Sequence, residues 1–109
     1  MRRQLNENIR DFESFHKTLV AFVKAGKSCF SIRDKKEYQS WMTGNTIWMK
    51  GKDRQKNAEY AMSKLKVVFE IIQQTDKITT KMLNDAVGRD RSPIMALMVA
   101  SGAVVESKD

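Results

Sequence analysis

The C-terminal part of the sequence has the most definite local plan, and residues 78–106 are ITTKMLNDAVGRDRSPIMALMVASGAVVE. A threonine hydroxyl can accept a hydrogen bond from a free amide at the start of a helix, so Thr79 or Thr80 is a candidate cap for a short first helix. Gly88 is suited to end that helix, because glycine adopts left-handed backbone angles without a steric cost.

A second helix is predicted directly after this glycine. Asp90 or Ser92 can cap it, and Pro93 suits its first turn, where a missing N–H removes no helical hydrogen bond. Gly102 can end the helix, and residues 103–105 then have the character of a strand leaving it. Two helices joined by a short glycine-containing turn form a helix-turn-helix, so the sequence predicts such a unit followed by a strand.

The N-terminal residues 3–25 carry a helical apolar pattern that ends at Gly26. The residues that recur at alternating spacings of four and three are Leu5, Ile9, Phe12, His16, Leu19 and Val23. The pattern predicts an amphipathic helix, which packs against the rest of the domain or pairs with a second copy as coiled coils do. The candidate interface residues for a homodimer are Phe12, Phe15, Leu19 and Phe22, with Met95 and Met98 of the second C-terminal helix.

Residues 34–49 fit two structures. In the first, Asp34 and Glu37 form a capping box and a helix over 34–43 ends at Gly44, after which an extended segment buries Trp48 in the core. In the second, Gly44 and Asn45 form the two-residue turn of a β-hairpin. The hairpin would set Thr43 opposite Thr46, Met42 opposite Ile47 and Trp41 opposite Trp48, with Cys29–Ile32 as a third strand. The helix is preferred because its cap, apolar period and stop agree.

A second long helix is predicted over 53–75. Asp53 can cap it, and its apolar face consists of Ala58, Ala61, Met62, Leu65, Val68, Phe69 and Ile72. This helix leads directly into the C-terminal unit. The sequence contains no proline-, glycine- or serine-rich linker, so a single domain over 1–109 is predicted.

Length and composition are those of one soluble domain, with 109 residues, 41% hydrophobic and 30% charged. One cysteine and one histidine exclude an internal disulfide and a zinc site of the usual kind. The longest apolar run, 93–105, is shorter than the ~20 residues that a membrane helix needs. With no signal-peptide pattern at the N-terminus, we expect a cytoplasmic protein with no membrane partner.

Positive charge is concentrated in the first half of the chain. Of the net charge of +7, residues 27–57 contribute five, with eight basic and three acidic side chains, and residues 1–26 contribute two. A localised surplus is expected for a polyanionic partner such as nucleic acid or an acidic protein surface, while a solvated face is the alternative. The candidate nucleic-acid-binding residues of this segment are Lys27, Arg33, Lys35, Lys36, Lys50, Lys52, Arg54 and Lys56.

Aromatic residues lie among these cations. Phe30, Tyr38, Trp41 and Trp48 could stack on the bases of a single strand if they are exposed, or pack in the core if they are not.

Motifs for catalysis are missing from the sequence, which has no glycine-rich phosphate loop, no H-E-x-x-H and no cysteine pair. The sequence therefore predicts no catalytic residue, no cofactor and no metal.

A family resemblance is carried by the C-terminal half. The residues that carry it are Leu83, Ala86, Val87 and Gly88 in the first helix and turn, Ser92, Ile94 and Met98 in the second helix, and Gly102–Val105 after it. With the 53–75 helix as the first of three, residues 57–106 resemble the winged-helix and helix-turn-helix superfamily of DNA-binding regulators. Past Ser92 the second helix lacks the long polar side chains that read base edges. Lys81, Arg89, Arg91 and Ser92 are therefore the nucleic-acid contacts expected in this unit.

Together these features predict a mainly α-helical domain with a helix 3–25, a basic segment 27–57 and a helix-turn-helix-like unit 53–106, and with a short β-hairpin as the alternative in the middle. The predicted function is that of a non-catalytic accessory or regulatory protein that binds DNA, with RNA as a less favoured nucleic acid. The alternative function is a protein-interaction module, an inhibitor or adaptor that docks on a larger assembly.

Overall fold

The computed structural model describes residues 2–52 and 55–107 and shows an α+β protein. The strands are β1 (Arg2–Leu5), β2 (Cys29–Phe30), β3 (Glu37–Thr43), β4 (Thr46–Gly51), β5 (Ala58–Tyr60) and β6 (Val104–Ser107). The helices are α1 (Phe12–Lys24), α2 (Met62–Ile72), α3 (Asn84–Val87) and α4 (Arg91–Ser101), with 3₁₀ turns at Thr80–Leu83 and Gly88–Asp90. The described strands form two antiparallel sheets, one of order β2-β3-β4-β5 and one that pairs β1 with β6. The prediction of a mainly α-helical fold is therefore wrong.

The predicted helix over 3–25 is wrong in its first part. α1 begins at Phe12, because the Asp11 carboxylate caps it by accepting hydrogen bonds from the Ser14 hydroxyl at 2.6 Å and amide at 2.8 Å. These two hydrogen bonds also hold the pKa of Asp11 below its ordinary value. The residues before the cap include β1, whose partner β6 lies at the other end of the chain. Local periodicity cannot reveal a partner so distant in sequence.

The apolar face of α1 belongs to the core of this chain. Phe15 and Leu19 are fully buried, and Phe12 and Phe22 are half-buried against the same cluster. His16 is also half-buried, its ring stacked on Phe12 with the centroids 5.7 Å apart, and burial lowers its pKa. Phe15 and Leu19 are covered by their own chain, which argues against their assignment to a homodimer interface, whereas Phe12 and Phe22 keep part of their surface exposed and their assignment stays a prediction.

The preferred helix over 34–43 is also wrong, and the hairpin alternative is confirmed. Side chains of β3 and β4 alternate between the core and the outside, which is the period of a strand. Gly44 has a φ of +59° whereas Asn45 has no positive φ, and this combination defines a type II′ turn. The observed register sets Thr43 opposite Thr46, Met42 opposite Ile47 and Trp41 opposite Trp48. Trp48 is half-buried on the outer side of the sheet, so its predicted place in the core is wrong.

Alanine at Gly44 is expected to destabilise the protein by about 1–2 kcal/mol, the cost of left-handed backbone for a residue with a Cβ. A Cβ built at Gly44 meets nothing within 4 Å, so the loss would come from the backbone alone. Urea denaturation of Gly44→Ala beside Asn45→Ala measures this difference. An equal loss in both variants would contradict the turn type.

The predicted helix over 53–75 is wrong at its start. Ala58–Tyr60 instead form β5 and pair with β4, and α2 begins at Met62 after Ala61, which gives no side-chain cap. The Asp53 cap lies outside the described residues. The part of the apolar face that does lie on α2 is confirmed by the burial of Leu65, Val68, Phe69 and Ile72.

The predicted order of short helix, turn, helix and strand at the C-terminus is confirmed. Gly88 and Gly102 have positive φ values of +54° and +86° at the two helix ends. All six residues from Pro93 to Met98 are buried, so α4 is a central core helix packed against α1, β2 and β6. Met95 and Met98 are fully buried, which contradicts their assignment to a homodimer interface.

Among the described residues the longest helix is α1 with 13 residues, and none has the length and apolar character that a membrane span requires.

Candidate functional site

A cleft of about 540 Å³ opens where three segments of the chain meet. The segments are the loop between β2 and β3, the end of β4, and the start of α4 with the 3₁₀ turns before it. We call this hollow the basic cleft; its lining residues are Ser31, Ile32, Arg33, Asp34, Lys36, Tyr38, Gly51, Lys52, Thr80, Arg89, Arg91, Ser92 and Met95. Its volume lies within the range of ligand sites in proteins, roughly 300–1,000 Å³.

Ser31 determines the shape of the loop on one side of the basic cleft. It is buried, its amide donates to the Lys36 carbonyl at 2.8 Å, and its hydroxyl accepts from the Lys36 amide at 2.9 Å. The Lys35 amide donates back to the Ser31 carbonyl at 3.2 Å, and Lys35 has a left-handed φ of +55°. These bonds close the loop tightly, so that Arg33 and Asp34 are exposed at its tip.

Tyr60 positions the opposite side of the cleft. The ring is fully buried, and its hydroxyl donates to the Asp90 carbonyl at 2.5 Å, which joins β5 to the start of α4. Arg91 is held in place because its guanidinium donates to the Gly88 carbonyl at 3.0 Å and to Asn84 Oδ1 at 3.2 Å. The start of α4 is thereby fixed relative to the four-stranded sheet.

The electrostatic character of the basic cleft follows from its lining. Five cations, Arg33, Lys36, Lys52, Arg89 and Arg91, share the cleft with one carboxylate, Asp34. Cations that line a concave surface reinforce one another's potential and raise the local concentration of anions. Guanidinium groups also present several donors in the geometry that phosphate oxygens accept. The arrangement is therefore suited to a phosphate-bearing ligand.

The structure brings together candidate residues from both halves of the sequence. Arg33, Lys36 and Lys52 of the basic segment meet Arg89, Arg91 and Ser92 of the C-terminal unit in the basic cleft. Two further hollows adjoin it: a helix hollow lined by Lys81, Asn84, Asp85 and Arg91, and a sheet hollow lined by Glu37, Gln39, Lys50, Gly51 and Lys52. Lys27, Lys35 and Lys56 are exposed but line none of these three hollows. The prediction for Arg54 lies outside the described residues.

The aromatic candidates divide between the core and the outer side of the sheet. Tyr38 is buried, which supports core packing for that residue alone. Phe30 and Trp41 are exposed, with 52% and 37% of their surface accessible. Sequence reasoning did not find Ser31 and Tyr60, which shape the cleft. The feature that identifies both residues is a polar hydroxyl on a buried side chain, and burial is known only from the structure.

Other chemistry-bearing groups lie apart from the cleft. Burial raises the pKa of the Cys29 thiol to about 11, so the thiol stays protonated near neutral pH. Within residues 2–52 and 55–107, no three histidine, cysteine, aspartate or glutamate side chains come close enough together to hold a metal ion.

Comparison of the chain with protein-family models, curated proteins and solved structures gives no match. The resemblance to the winged-helix and helix-turn-helix superfamily therefore stays a prediction.

Proposed function

We propose that this protein is a non-catalytic, cytoplasmic accessory factor that binds DNA by its phosphate backbone in the basic cleft. The observation that carries the proposal is the meeting of five cations, drawn from three separate segments, around a cleft that contains one carboxylate. Phosphate contacts provide most of the affinity of non-specific nucleic-acid binding. A cleft of this charge supports such contacts without any base being read.

The structure of α4 supports binding that is independent of base sequence. A recognition helix must offer polar side chains to the edges of bases in the major groove. The residues of α4 from Pro93 to Met98 are buried, and the part of α4 that lines the cleft with polar groups is its first turn, at Arg91 and Ser92. Those groups are positioned to contact phosphates, which fix register but carry no sequence information.

Binding to random-sequence DNA, followed by fluorescence anisotropy at several salt concentrations, tests the proposal. Each neutralised phosphate of a duplex contributes about −0.9 to the slope of log affinity against log salt, so up to five contacts predict a slope of about −2 to −4.5. Two duplexes of unrelated sequence should bind within roughly threefold of each other, since phosphates are common to both. Absence of binding to duplex and single-stranded DNA at low salt would contradict the proposal.

An interaction module is the second candidate, favoured by the exposed Phe30 and Trp41 beside the cations. Such a protein would dock on an acidic protein surface rather than on nucleic acid. Retention by a stable protein partner, in the absence of binding to either form of DNA, would favour this candidate.

A further inference from the structure

The four-stranded sheet has a face that no other part of the described chain buries. Successive residues of a strand point to opposite sides, and the inward set includes Cys29, Tyr38, Ile47, Met49 and Tyr60. We call the opposite side the outer face; it carries Phe30, Glu37, Gln39, Trp41, Trp48, Lys50 and Glu59. The most exposed aromatic side chains of the molecule therefore lie on one surface.

The two tryptophans form a cross-strand pair on the outer face. Trp41 and Trp48 are directly opposite in the register of β3 and β4, a position in which Cβ atoms lie roughly 4.5–5.5 Å apart. The indole Nε1 of Trp48 donates to Thr43 Oγ1 at 2.7 Å, which fixes the orientation of its ring on the sheet. The pair thus presents aromatic surface on which the ring of Trp48 is held by a hydrogen bond.

The outer face is continuous with the basic cleft. Gly51 and Lys52 line both the cleft and the sheet hollow of about 430 Å³, whose other lining residues include Gln39 and Lys50. Gln39 precedes Trp41 by two residues on β3, roughly 7 Å along the strand. Phe30 directly precedes Ser31 of the cleft. A chain that leaves the cleft can therefore follow the outer face to the tryptophans.

Charge differs between the two parts of this surface. The outer face carries one lysine, Lys50, and two glutamates, Glu37 and Glu59, whereas the cleft holds five cations and one carboxylate. A surface of low net charge with exposed rings suits the faces of bases, and a cationic cleft suits phosphates. A single strand needs both surfaces, whereas a duplex keeps its base faces inside its own stack.

We propose that the preferred ligand is single-stranded DNA, with its phosphates in the basic cleft and its bases stacked on Phe30 and on the Trp41–Trp48 pair. This inference rests on the proposed function and specifies the ligand of the same site. Stacking on aromatic side chains tolerates any base, so the binding would be independent of sequence.

Intrinsic tryptophan fluorescence reports directly on this face, because the chain contains two tryptophans and both lie on it. The protein is titrated with a random single strand of about 12 nucleotides, within the range of roughly 4–16 that small single-strand-binding folds occupy. A duplex with the same number of phosphates is titrated in parallel. The single strand is expected to quench the fluorescence and to bind at least about tenfold more tightly than the duplex.

Leucine variants separate stacking from general apolar contact, because leucine keeps apolar area but has no aromatic ring. Phe30→Leu and Trp41→Leu are each expected to weaken single-strand binding by about tenfold and to leave duplex binding unchanged, and Trp41→Phe should restore most of the loss. Phe22→Leu, the same change at a half-buried residue of α1, is the matched control and should leave binding unchanged.

The outcomes distinguish this inference from the proposed function. Equal binding of both DNA forms, or single-strand binding that Trp41→Leu leaves intact, would overturn the stacking surface while leaving the cleft as a DNA site. Failure of both forms to bind would overturn the proposed function itself. An RNA strand of the same sequence that binds more than tenfold more tightly would overturn the assignment to DNA, because it would show that the 2′-hydroxyl is read.

Discussion

Replacement of Phe15 by alanine is expected to destabilise the protein by about 3–5 kcal/mol, the usual cost of removing a buried phenyl ring. The side chain is fully buried, and its ring centroid lies 5.2 Å from that of Phe69 on α2 and 6.2 Å from that of Phe12. The total stability of small domains is about 5–15 kcal/mol, so the loss is a large fraction of it. Urea denaturation followed by circular dichroism measures the change.

Phe30→Ala is the matched control for this prediction. The chemical change is identical, but Phe30 is 52% exposed, and exposed substitutions usually alter stability by no more than about 0.5 kcal/mol. Sedimentation should show the same association state for the wild-type protein and Phe15→Ala, since the ring packs within its own chain. A loss below about 1 kcal/mol together with weaker self-association would restore Phe15 to an interface between copies.

The parts of the fold that the sequence predicted correctly are those determined by local chemistry. Gly88 and Gly102 end their helices as expected, because both have a positive φ, which is a property of the single residue and favours glycine. β1 was not predicted, and the strand predicted at 103–105 was given no partner, because β1 and β6 are stabilised mainly by hydrogen bonds to each other from opposite ends of the chain. Without that pairing, apolar residues at positions 5 and 9 fit the period of the following helix.

Residues 34–49 show why two locally consistent patterns cannot be ranked from sequence alone. The Asp34–Glu37 capping box and the Gly44-Asn45 turn each require a few residues of the right type, and both were present. The hairpin prevails because β4 pairs with β5 on one side, and a helix over 34–43 would leave the other edge of β4 without a partner. β5 lies within residues 53–75, which the sequence pattern assigned to a helix, so this support for the hairpin was not visible in the sequence.

The sequence identified most of the cations of the candidate site, but not the fact that they line one cleft. The surplus of cations between Lys27 and Asn57 and the pair Arg89 and Arg91 were both identified. Their convergence on one cleft is set by tertiary contacts, namely the core packing of α4 and the Tyr60 hydroxyl bond to the Asp90 carbonyl. A hydrogen bond across thirty residues has no counterpart in local sequence pattern. Charge placement therefore leads to the prediction of a polyanionic partner, while the fold determines which surface carries the cations.

Reversal of two cleft charges, in the variant Arg33→Glu/Lys52→Glu, is expected to weaken duplex binding about 200-fold at about 50 mM salt and about 20-fold at about 200 mM. These values follow from the loss of two phosphate contacts, which reduces the salt slope by about 1.8. Both residues are exposed and neither forms an ion pair among the described residues, so reversal leaves no internal partner without its counter-charge. The thermal midpoint should therefore stay close to that of the wild type.

Lys17→Glu/Lys24→Glu is the control for net charge. It changes the charge by the same amount, and both lysines are exposed on α1, which lines none of the three hollows. If binding depends on the basic cleft, the control weakens it by less than about threefold, because charges beyond a Debye length of roughly 10 Å are largely screened. Equal losses in the two variants would show that affinity follows the total charge of +7 rather than its convergence on one cleft. The comparison of the two variants thus tests whether DNA binding depends on the convergence of cations in the basic cleft, which is the basis of the proposed function.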